Sequence, residues 1–110
     1  MIKYLTQLIS RPSRQELVDL VRQVSDRSFP AVQDRAASRA AGMPLAEARG
    51  YVRARATGII RRQVEICLTR RHAVDERLQR QIALHACERV VHLVIAEMLA
   101  KSPVARRQAA

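Results

Sequence analysis

The stretch from Ile82 to Met98 limits the possible folds more than any other part of the chain. Its apolar residues Ile82, Leu84, Val90, Val91, Leu93, Val94, Ile95 and Met98 are too dense for one narrow helical stripe. At about 100° per residue they cover most of the wheel and leave a polar stripe of His85, Glu88, Arg89 and His92. A helix that is apolar nearly all round has to be buried. Either shorter helices of the same chain wrap it, or a second copy covers part of it. A chain of 110 residues offers few helices for wrapping, so a homodimer built on this helix is expected.

Other segments also read as helical. Ile2, Leu5, Leu8 and Ile9 form one apolar stripe. Ser13 and Glu16 make a capping box ahead of Leu17, Leu20, Val21 and Val24, which predicts a helix over 14–25. The sequence DRSFP is expected to end it, with Ser28 capping a small-residue helix that runs to about Ala41. Gly42 closes that helix and Pro44 opens the next, over 45–71. Gly50 and Gly58 are its weak points, each costing about 1 kcal/mol relative to alanine. Asp75 caps the last helix, over 75–100. The expected fold is an all-α single domain of about five helices over 1–103, with a flexible tail over 104–110. The last two helices should form a long antiparallel hairpin.

Aromatic residues make up 3% of the chain, so the core must be aliphatic. No apolar run is long enough to span a bilayer, and the start lacks the apolar run and cleavage site of a signal peptide. A cytoplasmic protein is the expectation. Cys67 and Cys87 lie too far apart along a hairpin turning near Ala73 to form a bridge, and read as small core residues.

Two chemistries are disfavoured. In HACERVVH, His85 and His92 share a face but stand two turns apart, about 10.5 Å. Zinc–imidazole bonds are near 2 Å, so the two cannot hold one ion, and no metal or other cofactor is expected. No nucleophile motif or P-loop appears and the acids are scattered, so neither an enzyme nor a small-molecule substrate is expected. Glu97 falls on the apolar side of the last helix. It must either reach solvent near the helix end or pair with an arginine of 49–71.

Charge carries the functional argument. The net charge is +10, and it is uneven. Residues 49–71 hold seven arginines and one acid, Glu65, so more than half of the excess sits in about a fifth of the chain. A codon bias towards arginine would not concentrate it there. The stretch RGYVRARATGIIRR places Arg49, Arg53, Arg55, Arg61 and Arg62 together without an acid. A balance this basic favours a partner with a negative surface, nucleic acid, anionic lipid or an acidic protein, and the cluster points to nucleic acid first.

Residues 37–55 add a pattern. Gly42 sits in a tight turn, Ser38 is the small residue four before it, and Ala37, Ala41, Met43, Ala48 and Tyr51 or Val52 occupy inward positions. The segment resembles the general helix-turn-helix pattern. The resemblance implies a second helix that presents Arg49 and Arg53, with Arg55 on its flank, to duplex DNA. The competing reading is a solvated face along the helix, with Ala48, Val52, Ala56 and Ile59 as its buried stripe. The protein would then be a non-enzymatic helical oligomer or adaptor with an incidentally basic surface.

Overall fold

A computed structural model describes residues 12–69 and 75–101, and these form three α-helices without a strand. They are α1 (Arg14–Ala40), α2 (Leu45–Thr69) and α3 (Glu76–Lys101). The expectation of about five helices is therefore corrected to three among the described residues. The helix predicted near the start lies outside them. The predicted helices over 14–25 and 28–41 are one continuous α1.

The predicted caps explain the boundaries. Ser13 Oγ accepts the Glu16 N–H at 3.1 Å, satisfying a free donor of the first turn. Asp75 Oδ1 accepts the N–H groups of Arg77 at 3.0 Å and Leu78 at 3.4 Å. Between α1 and α2, Gly42 and Met43 donate back to the carbonyls of Arg39 and Ala40 at 3.3 and 3.0 Å, closing a tight turn.

The break expected at DRSFP does not occur, because burial outweighs local propensity. Pro30 lies inside α1 with an exposed side chain. A mid-helix proline costs roughly 3 kcal/mol by removing a hydrogen bond and crowding the carbonyl four residues back. That carbonyl belongs to Asp26, also exposed, so water can satisfy it. On the other side Val24, Ser28 and Val32 stay fully buried across the proline. Each buried valine contributes about 1.5–3 kcal/mol.

Each helix packs on both of the others. Cys67 Sγ near the end of α2 donates to Gln23 Oε1 of α1 at 3.7 Å, and Arg53 of α2 reaches Glu88 of α3 at 2.9 Å. These cross-links make both consecutive pairs antiparallel and leave α1 and α3 parallel. The buried residues advance mostly in steps of four: Leu20, Val24, Ser28, Val32, Ala36 and Ala40 on α1; Ala48, Val52, Ala56, Ile60, Val64 and Leu68 on α2; Ile82, Ala86, Val90 and Val94 on α3. Rows of this spacing are one of the ridges by which helices interlock. Alanines at Ala36, Ala40, Ala48, Ala56 and Ala86 let the backbones approach closely. Four-residue steps also explain why Ile60, and not the expected Ile59, takes the fully buried place.

The apolar girth of α3 is mostly covered within the chain. Ile82, Val90, Val91, Val94 and Ile95 are buried and Leu93 and Met98 half-buried, while Leu84 remains 61% exposed. The neighbouring helices thus do much of what a second copy was invoked to do.

Ser28 is fully buried and its hydroxyl has no hydrogen-bond partner among the described residues, whereas Ser25 one turn earlier donates to the Val21 carbonyl at 2.6 Å. An unmet buried hydroxyl costs about 1–3 kcal/mol. Ser28→Ala should therefore raise stability by about 1 kcal/mol, measured by denaturant unfolding. A loss of stability would show that the hydroxyl is bonded after all.

Candidate nucleic-acid interface

All five arginines of the 49–62 cluster are exposed, and the buried row of α2 decides where each one points. A residue two positions after a buried one lies about 200° round the helix, so Ala46, Gly50, Ala54, Gly58 and Arg62 form the outermost ridge of α2. Residues one position after the buried row are Arg49, Arg53, Thr57 and Arg61, of which Arg53, Thr57 and Arg61 border α3. Residues one position before it form the flank towards α1, with Tyr51 and Arg55. The five arginines do not converge on one face. Arg49 and Arg53 stand on one side, Arg55 and Arg62 on the other and Arg61 between them, because each four-residue step turns about 40° round the axis.

The crest is smooth. A Cβ added at Gly50 or Gly58 would meet nothing within 4 Å, so no packing among the described residues requires either glycine. Helix continuity through Thr57 and Gly58 is retained, with Thr57 Oγ1 donating to the Arg53 carbonyl at 2.8 Å.

The two flanks differ chemically. On the α3 side, Arg53 Nη2 reaches Glu88 Oε1 at 2.9 Å and Oε2 at 3.2 Å, with both side chains about half exposed. Arg53 and Arg61 border a groove of about 370 Å³ between α2 and α3, floored by Ile60, Val64 and Ala83, with Arg80 and Leu84 across it. On the α1 side, Arg55 lies 5.4 Å from the centroid of the Tyr51 ring, and its Nε donates to the phenol oxygen at 3.3 Å. The bond from Arg55, with Arg39 of α1 nearby, holds the Tyr51 phenol below its usual range.

The helix-turn-helix pattern does not carry over well. Its close-packing position, Ser38, is exposed, and so is Ala41. Ala48 and Val52 are buried as the pattern asks, while Ala37, Met43 and Tyr51 are half-buried. Gln23 and Cys67 meet far from the turn, so α1 and α2 lie alongside each other instead of crossing steeply.

Glu97 pairs with Lys101 at 3.0 Å and with no arginine of α2. Lys101, and then Gln33, hold its carboxyl below the usual range. Both cysteines are free and buried. Burial pushes the Cys87 thiol up, against the opposing bond from Thr57. Among the described residues no group of three or more His, Cys, Asp and Glu is placed to hold a metal ion, and no helix is long and apolar enough to cross a membrane. No protein-family model matches the sequence, and no curated protein or solved structure matches it either.

Proposed function

We propose that the protein binds duplex DNA with little sequence preference, laying the outer face of α2 in the major groove. The observation that carries this reading is the placement of five exposed arginines on the crest and both flanks of one smooth helix. A helix with its side chains is about 10–12 Å across, close to the roughly 12 Å width of the B-DNA major groove. A helix lying there has a phosphate wall on each side. Arg49 and Arg53, about 40° apart round the axis, face one wall; Arg55 and Arg62, about 20° apart, face the other; and Arg61 lies between the two pairs. Between Ala46 and Gly58 the crest carries no hydrogen-bonding side chain. Such a surface fits a groove without reading base edges, because phosphate contacts position a protein and base contacts specify sequence. The narrow major groove of an RNA duplex would not admit it. The contact is a lone helix in the groove, without the crossed pair of a helix-turn-helix.

The bond from Arg53 to Glu88 is a modest obstacle, since a half-exposed ion pair contributes about 0–1 kcal/mol. It is also what favours the second reading, a helical adaptor or oligomer, because it spends one arginine of the cluster within the chain and lies beside exposed Leu84.

Salt dependence separates the two readings. Each neutralised phosphate contributes about −0.9 to the slope of log affinity against log salt, so four arginine contacts give roughly −3.6. Removing Arg49 and Arg53 together as alanines should flatten the slope by about 2. Removing Arg27 and Arg35, exposed on α1, should change it much less. A slope that responds equally to both pairs would indicate bulk charge and leave the adaptor reading standing.

A further inference from the structure

A second basic surface lies between α1 and α3, on the side of the bundle away from α2. Two four-step rows face each other across it: Arg14, Val18 and Arg22 on α1, and Gln81, His85 and Arg89 on α3. They border a groove of about 410 Å³ whose floor is apolar, with Leu17 and Val21 beneath Val18. Val18 is 46% exposed, one of the few large apolar residues left open to water. Among the described residues, three arginines and a histidine line the groove and no acid does. The groove between α2 and α3, by contrast, is lined by Glu65 and Glu88 as well as arginines. Residues 1–11 bring Lys3 and Arg11 but no acid, so the chain's own leading segment does not supply the missing charge.

We propose that this groove is the docking site for an acidic amphipathic helix of another protein, which would complete a four-helix bundle. The inference is independent of DNA binding by α2. The rows run eight residues each, about 12 Å or slightly more than two helical turns. An incoming helix with apolar residues at i, i+3, i+4 and i+7 would set them against Leu17, Val18 and Val21. Its flanking glutamates or aspartates would meet Arg14 and Arg22 on one side and Arg89 on the other. Guanidinium–carboxylate contacts are the strong, directional kind of ion pair, and the basic rim rejects a helix with lysine flanks.

The test uses the full chain and a fluorescently labelled helical peptide with leucines in that spacing and glutamates beside them. Two control peptides have the leucines scrambled, or lysines in place of the glutamates. The first peptide should bind saturably. Binding should weaken at least about tenfold when Arg22 and Arg89 are both reversed to glutamate, and also in Val18→Asp. It should not change when Arg49 and Arg53 become alanine. All of these sites are exposed, and circular dichroism of each variant confirms that the fold is kept. The proposal is overturned if the scrambled peptide binds as well, if the α2 variant weakens binding as much, or if no peptide binds. Capture by anionic lipid vesicles that depends on Arg22 and Arg89, with no peptide binding, overturns it in favour of a lipid surface.

Discussion

Pro30→Ala should stabilise the folded chain by about 2–3 kcal/mol and raise its melting temperature by roughly 10 °C or more. The residue sits inside α1 with its ring in solvent, so little packing is lost when it goes. Alanine restores the hydrogen bond to the Asp26 carbonyl and relieves the crowding there, together worth about 3 kcal/mol in a helix interior. Against this, the unfolded chain regains the freedom that proline removes, a loss of about 0.4–1 kcal/mol. Thermal unfolding followed by circular dichroism measures the balance. An unchanged or lower melting temperature would mean that the local geometry imposed by the ring is needed to pack Val32 and Phe29.

Replacing Gly50 and Gly58 together with alanine should add about 2 kcal/mol, the sum of two helix propensities. A Cβ at either site meets open space, so no clash offsets the gain. Leucine at both sites should stabilise nearly as much, since its helix propensity is close to that of alanine. The two variants part company on DNA. Alanine already occupies the crest at Ala46 and Ala54, so the alanine variant should bind duplex much as the native chain does. Two leucines would raise the crest and hold the helix out of the groove, weakening duplex affinity while stability rises. Unchanged binding by the leucine variant would show that α2 does not enter the groove. Stability gained at the expense of binding is the usual sign of a residue kept for function.

Much of the helical pattern could be read from the sequence because it is set locally. Ser13 and Asp75 cap as their side chains suggest, Gly42 lies in the turn, and α2 and α3 end within two residues of expectation. Pro30 misleads for the opposite reason. Whether a helix survives a proline depends on what its other face buries, and Val24 and Val32 bury against helices distant in sequence. The arginine cluster was visible as composition, but its division between two flanks and a crest was not. That division requires knowing that Ile60 rather than Ile59 is buried, a difference of one residue that rotates every assignment by about 100°. The basic groove was not visible at all. Arg22 and Arg89 are widely separated along the chain, and only the parallel placement of α1 and α3 brings their rows face to face.

The four-residue step of the buried rows has a consequence for how the molecule comes apart. A true helical turn is 3.6 residues, so each step advances about 40° round the axis, and from Leu20 to Ala40 the row sweeps through roughly 200°. On α3 a second column, Cys87, Val91 and Ile95, runs beside the first. No helix keeps one face for one neighbour. Each packs on both of the others, so its buried surface is shared between two neighbours. A two-helix fragment cut from this chain would expose a spiral of core wherever the third helix had been. The smallest piece that can hold together is therefore all three helices at once, and the chain folds or fails as a whole.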